Sequence, residues 1–123
     1  MSKAMVVDDS RAIRLILAKT LAELGYEVCQ AANGKEAVAV IERESGISLV
    51  LVDWNMPEMN GLEFVQHVRA NHRFDQVPLM MVTTETEMPQ MVRALQAGAN
   101  EYVMKPFTKE IITDKLRLMG VLQ

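Results

Sequence analysis

Asp53 closes the apolar run Leu49-Val50-Leu51-Val52 and opens a polar turn containing Asn55 and Pro57. A buried strand that carries an acid at its carboxyl end delivers it to the crevice where open α/β sheets hold their ligands. On its own the residue reads more readily as a polar cap on a strand or loop. Three other apolar runs end in chemically matched groups. Ala4–Val7 stops at Asp8-Asp9, Val77–Val82 at Thr83-Thr84-Glu85, and Glu101–Met104 at Lys105. If these runs are parallel strands, all their carboxyl ends lie at one sheet edge, and the groups converge. A further run, Tyr26 to Ala32, ends in Ala31-Ala32 and adds nothing reactive.

Three carboxylates brought together in a partly buried site repel one another. A divalent cation offsets that repulsion, and oxygen-only ligation suits Mg²⁺ or Mn²⁺ better than zinc. The single cysteine and the two histidines are not at strand ends. His67 sits on an expected helix and reads as a surface residue. Lys105 sets a fixed positive charge against the acids, and Thr83 adds a hydroxyl. A cation, a lysine and a hydroxyl around one carboxylate make a cradle for a phosphoryl group, whose transfer depends mainly on positioning and electrostatics. The carboxylate can itself be the nucleophile. The rival reading keeps Asp8-Asp9 as helix caps paired with Lys105 for stability. That reading must be invoked separately at every strand end.

The elements that would position these groups follow from periodicity. Nearly continuous apolar runs are expected over Ala4–Val7, Tyr26–Ala32, Ile47–Val52, Val77–Val82 and Glu101–Met104, as in strands covered on both faces. Helical spacing lies between them. Ser10 is an expected N-cap, followed by Ile13, Ile16, Leu17, Thr20, Leu21 and Leu24 on one face, with Gly25 as the stop. Further helices are expected over Lys35–Glu44, from Asn60-Gly61 through Val68, over Met88–Ala97 and over Thr108–Leu118. Asn71–Gln76 reads as loop. Alternating βα units with right-handed crossovers give a doubly wound α/β domain with a five-stranded parallel sheet and helices on both faces.

Composition supports one ordinary globular domain spanning residues 1–123, with no repeats or linkers. The formal net charge is −3, so neither a nucleic-acid nor a membrane surface is implied. Cys29, alone in the chain, reads as a small core residue in a reducing compartment. No secretory signal or membrane-spanning run is evident, so a cytoplasmic location is expected. Among ten methionines, Met80, Met81, Met104 and Met119 read as core filler. Met88 and Met91 read either as core or as exposed anchors for a partner.

In this order, Asp8-Asp9, Asp53 with Met56-Pro57 and Gly61, Thr83, and Lys105-Pro106 resemble the receiver domains of two-component response regulators. The resemblance covers the whole chain and is nearest to single-domain chemotaxis receivers. It implies a flavodoxin-like fold with strand order 2-1-3-4-5 and a stand-alone switch whose only catalysis is its own phosphorylation and dephosphorylation. The roles it implies are Asp53 as phosphoacceptor, Asp9, Asp53 and the backbone carbonyl of Asn55 as direct Mg²⁺ ligands, and Asp8 acting through water. Lys105 would bind phosphate, Thr83 would be the switch hydroxyl, and Tyr102 an aromatic rotamer switch, its bland alternative being a half-buried strand residue. A cis Lys105-Pro106 bond is implied as well. Asn55 and Glu85 are types associated with rapid phosphate loss, so a short-lived signal is expected.

Implied partners are a chemotaxis-type histidine kinase and a downstream protein such as a flagellar motor switch component or a phosphatase. The domain is expected to be a monomer with no attached output domain. The partner surface, Met88, Met91, Tyr102 and Lys115, departs from the enteric pattern. Glu87-Met88-Pro89-Gln90-Met91 replaces a lysine-bearing stretch, and Leu118 stands at an often basic site. Other readings remain open at this stage. They are a receiver of another phosphorelay (cell-cycle or sporulation type), an aspartyl-nucleophile phosphatase and a flavodoxin-like electron carrier. Asn55 argues against the phosphatase, which usually has a second acid there. Asp8-Asp9-Ser10-Arg11 has the wrong charge to hold a flavin phosphate.

Overall fold

In the computed structural model, which describes residues 2–84 and 88–122, each apolar run becomes a strand of one parallel sheet. The elements are β1 (Lys3–Val7), α1 (Arg11–Glu23), β2 (Glu27–Ala31), α2 (Gly34–Arg43), β3 (Ile47–Val52), α3 (Gly61–Arg69), β4 (Leu79–Thr83), α4 (Met88–Ala97), β5 (Glu101–Met104) and α5 (Lys109–Leu118). The strand order is β2-β1-β3-β4-β5, with all pairs parallel. The strand order changes direction beside β1, so the carboxyl ends of β1 and β3 flank the crevice expected of this topology.

Alternation along the strands divides the core into two layers. Met5, Val7, Val50, Val52, Leu79, Met81 and Tyr102 share one layer with the apolar faces of α2, α3 and α4. Ala4, Val6, Leu49, Leu51, Met80, Val82 and Val103 share the other with Leu17, Leu21, Ile112 and Leu116 of α1 and α5. Side chains on successive strand residues point to opposite faces, so a central strand in such a sheet must be apolar throughout. Leu49, Val50, Leu51 and Val52 are all fully buried.

Helix starts follow the capping chemistry. Ser10, Asn33 and Thr108 each accept from the amide three residues on. Asn60 and Glu63 form a reciprocal capping box, at 2.8 and 3.0 Å.

Several expectations require correction. Tyr26 precedes β2 instead of opening it, because after Gly25 (φ 98°) its amide donates to the Leu21 carbonyl at the end of α1. Edge position leaves β2 half-exposed, so Cys29 is only partly buried, its Sγ 3.6 Å from the Ala4 carbonyl oxygen. On α1 the inward stripe is Leu17, Thr20 and Leu21, while Ile16 is 52% exposed. Met104 is 46% exposed rather than core, since it shares the α4 side of β5 but lies at the strand's end. Asn71–Gln76 is not plain loop: a 3₁₀ turn at His72–Phe74 buries Phe74. Pro78, which has no amide proton, falls just before β4, where its carbonyl still accepts from Val50.

Candidate phosphoryl and metal site

Each strand end presents its polar group as the backbone leaves the sheet. The amide of Asp53 is the last on β3 to follow the ladder, donating to Val7 at 2.9 Å, and the Asp8 amide donates to Ala31 at 3.1 Å. Beyond those bonds the chain turns, and the side chains enter the crevice. Asp8, Asp53 and Thr83 are buried, and Asp9 is exposed. Carboxylate oxygens of Asp8, Asp9 and Asp53 lie within 4.8 Å of one another.

Lys105 reaches this cluster from the end of β5. Its Nζ donates to Asp8 Oδ2 at 2.8 Å and to Asp53 Oδ2 at 3.2 Å. The main chain of Lys105 is fixed by its amide bond to the Thr83 carbonyl, 2.9 Å, and the Lys105–Pro106 peptide bond is cis. The remaining Asp53 oxygen, Oδ1, accepts from the Trp54 amide at 2.7 Å, and Asp8 Oδ1 accepts from the Ser10 amide at 2.8 Å.

The turn after Asp53 is held tightly. The Gly61 amide donates to the Trp54 carbonyl at 2.8 Å, which draws the start of α3 against the end of β3. A Cβ at Gly61 would lie 2.0 Å from the Asp53 carbonyl oxygen, so this close approach requires glycine. Between them, Glu58 adopts φ 70°, an unusual conformation for a residue with a side chain.

The electrostatics are those of an underneutralised acid cluster. Burial pushes the Asp53 carboxyl above its ordinary range, and nearby Asp8 adds to that. The Thr83 hydroxyl and the Lys105 ammonium pull the other way without cancelling it. Burial alone would lower Lys105, but hydrogen bonds and charge from Asp8 and Asp53 outweigh it, so its ammonium is held above the usual lysine value. Three carboxylates against one ammonium leave an excess of two negative charges. A hard divalent cation with oxygen ligands matches both that excess and the donor set. Asp8, Asp9 and Asp53 are the side chains that could hold it, and Asp53 is at the same time a carboxylate able to act as a nucleophile.

Asn55 is exposed, two residues beyond Asp53. Tyr102 is buried, 5% exposed, in the layer beneath α4. Met88 is 66% exposed, whereas Met91 is partly buried against the core. Lys115 pairs with Glu101 at 3.2 Å. Met91, Tyr102, Met104, Ile111 and Lys115 line a groove of about 360 Å³ between α4 and α5. Glu85 and Glu87 lie outside the described residues. His67 is a surface residue beside Glu42, 3.7 Å away.

Two features escaped the reading of the sequence. A second groove of about 360 Å³ runs beside Lys105, lined by Ile13, Ile16, Thr84, Pro106 and Phe107. Its signal was present in α1, where Ile13, Leu15, Ile16 and Leu17 exceed what one buried stripe can hold. Arg14, whose guanidinium meets the Asp8 carbonyl at 2.7 Å, gave no signal, since a surface arginine on a helix is unremarkable.

The family model described as "Response regulator receiver domain" matches residues 4–117. The chain is 44% identical over 118 residues to "Chemotaxis protein CheY1" of Helicobacter pylori strain J99, covering 95% of each protein. It is also 44% identical to "Chemotaxis protein CheY homolog" of Campylobacter jejuni, covering 93% of this chain and 88% of that one. Among solved structures, Vibrio cholerae chemotaxis protein CheY4 superposes with a TM-score of 0.89 at 37% identity, covering 97% of this chain and 98% of that chain. No helix among the described residues is long and apolar enough to cross a membrane. Fold, site and sequence agree: the chain belongs to the response regulator receiver domain family, as a signalling switch rather than an enzyme.

Proposed function

We propose that this receiver is a chemotaxis response regulator that takes a phosphoryl group from a histidine kinase onto Asp53. The observation that carries the reading is the meeting of Asp8, Asp9 and Asp53 within 4.8 Å, with Lys105 bonded to two of them. In the proposed step Asp53 Oδ attacks phosphorus, the phosphorus–nitrogen bond of a phosphohistidine breaks, and the departing imidazole keeps the electron pair and takes up a proton. Lys105, now held between Asp8 and Asp53, is placed to follow the phosphoryl oxygens. Mg²⁺, held by Asp9, Asp53 and the Asn55 carbonyl with Asp8 acting through water, would supply charge neutralisation. The Trp54 amide keeps Asp53 oriented.

Thr83 is the hydroxyl that follows the new charge, and Tyr102, in the next strand, responds to the space it leaves. This is a population shift, driven by contacts that only the phosphorylated state makes. The readable surface is the α4–β5–α5 face, where Met91, Tyr102 and Lys115 line the groove and Met88 stands exposed on α4. A downstream motor-switch component or a phosphatase would bind there. Chemotaxis is supported by the names of relatives 44% identical over nearly the whole chain. Asn55 and Glu85 would assist the attacking water, giving a short-lived signal, and replacing both should lengthen it.

The test is incubation with beryllofluoride or acetyl phosphate in Mg²⁺, followed through Trp54. Trp54 is 7% exposed and its amide bonds the proposed acceptor, so its emission should change. An undiminished response in Asp53→Asn would remove Asp53 from its role.

A further inference from the structure

Asp8 is engaged through its amide, its carbonyl and both carboxylate oxygens. Its amide donates to Ala31, Oδ1 accepts from Ser10, and Oδ2 accepts from Lys105. Its main-chain carbonyl lies one residue past the end of β1. A guanidinium nitrogen of Arg14 donates to that carbonyl at 2.7 Å, a short charge-assisted bond. The Nε of the same side chain donates to Gln30 Oε1 on β2 at 3.2 Å. Arg14 is itself placed by α1, its amide bonding the Ser10 carbonyl at 3.0 Å. One side chain therefore ties the β1–α1 turn to its helix and to the neighbouring strand.

Asp9 gives this grip a consequence. Its carboxylate is exposed and makes no hydrogen bond to another described residue, yet lies within 4.8 Å of those of Asp8 and Asp53. Its aim therefore depends on the backbone of the turn, and the turn is pinned through Asp8. We infer that Arg14 is a positioning residue for the metal-binding acids. By gripping the Asp8 carbonyl and Gln30, it holds the turn so that Asp9 already faces Asp53 before the cation arrives. The inference rests on the Mg²⁺ reading proposed above.

Charge and position make opposite demands here, which allows a clean test. Removing a cation near three carboxylates should by charge alone tighten Mg²⁺ binding. Loosening the turn should weaken it, and partners that orient metal ligands are typically worth roughly 10–100-fold in affinity. Mg²⁺ alone is titrated into the full chain, with Trp54 emission and calorimetry as readouts and thermal unfolding as the control for folding. Arg14→Met is expected to weaken Mg²⁺ binding by about 10-fold or more. Gln30→Ala, which alters no charge, should give a smaller weakening, and Arg14→Lys an intermediate one. Arg11→Gln, an exposed charge on the same helix, should not weaken binding.

Binding in Arg14→Met that is as tight as wild type, or tighter, overturns the inference. If that variant does not fold, unchanged affinity in both Arg14→Lys and Gln30→Ala overturns it equally. Wild-type protein that binds no Mg²⁺ brings down the metal reading and this inference together. Firm wild-type binding with unaffected variants brings down the inference alone.

Discussion

Replacing Asp53 by Asn should stabilise the metal-free domain, although it removes the proposed nucleophile. At an effective dielectric constant of about 20, the Lys105 contact at 3.2 Å is worth roughly 5 kcal/mol to the ionised carboxylate. Each of the other two acids, within 4.8 Å, costs it about 3.5 kcal/mol on the same basis. Solvent around exposed Asp9 screens most of its share and the Thr83 hydroxyl adds to the attraction, so it is the burial of the Asp53 carboxyl that tips the sum against the charge. The isosteric amide keeps an acceptor for the Trp54 amide, and Lys105 keeps its 2.8 Å bond to Asp8, so no buried charge is stranded. A gain of about 1–2 kcal/mol is expected at neutral pH in chelator, or roughly 4–8 °C in Tm for a domain of this size.

The pH dependence has a definite sign. Burial holds the folded Asp53 carboxyl above its ordinary value of 3.8, so the folded state keeps the proton to higher pH than the unfolded chain. Wild-type stability from this group is full below about pH 3.8 and falls as pH rises through the folded pKa. The advantage of the variant should therefore be absent in strong acid and develop above that point. Mg²⁺ at 100 times its dissociation constant should then stabilise wild type by about 2.7 kcal/mol, and the variant by much less. Urea unfolding at pH 3.5 and pH 7.5, with chelator and with Mg²⁺, measures all of this. A metal-free variant that is less stable than wild type at pH 7.5, or that gains equally from Mg²⁺, would refute the reasoning.

Three further outcomes follow from the geometry. Gly61→Ala must push a Cβ away from the Asp53 carbonyl oxygen, now 2.0 Å from where it would stand; it should lose about 2–4 kcal/mol in urea unfolding and weaken Mg²⁺ binding together. Arg69 donates to the carbonyls of Phe74, Val77 and Gly98 and to Asn100 Oδ1, all at 2.8–3.0 Å, so Arg69→Ala should cost about 2–4 kcal/mol by the same measurement and leave Mg²⁺ affinity unchanged. Glu58→Asn relieves a left-handed backbone (φ 70°) and should add about 0.5–1 kcal/mol, because asparagine tolerates that conformation better.

What the chain disclosed in advance was the chemistry at strand ends. A central parallel strand must be apolar on both faces, so the first charged residue after it marks the sheet edge without ambiguity. Asp8, Asp53, Thr83 and Lys105 could be placed that way because position along a strand is a one-dimensional fact. Burial across a helix or an edge strand depends on neighbours. Cys29 and Ile16 are apolar residues at correct periods, yet β2 lies at the sheet edge and α1 carries more apolar groups than its inner stripe admits. Met104 escaped because an apolar residue on the right face can still lie past the last covering turn. Arg14 and Arg69 were silent for a different reason. Each acts on main-chain carbonyls, and a carbonyl has no residue type through which a pattern could announce it.

That distinction bears on how this site can vary between relatives. In the proposed role the acids, the lysine and the hydroxyl must be particular residues, since each supplies a specific charge or donor. The groups that aim them need only reach a carbonyl or avoid a backbone, as Arg14 and Gly61 do. Changes in Mg²⁺ affinity among receivers with identical acids should then arise in this supporting layer, in the β1–α1 turn above all. Asp9, the proposed direct ligand that no side-chain bond from another described residue holds, is the member whose geometry such changes would reach first.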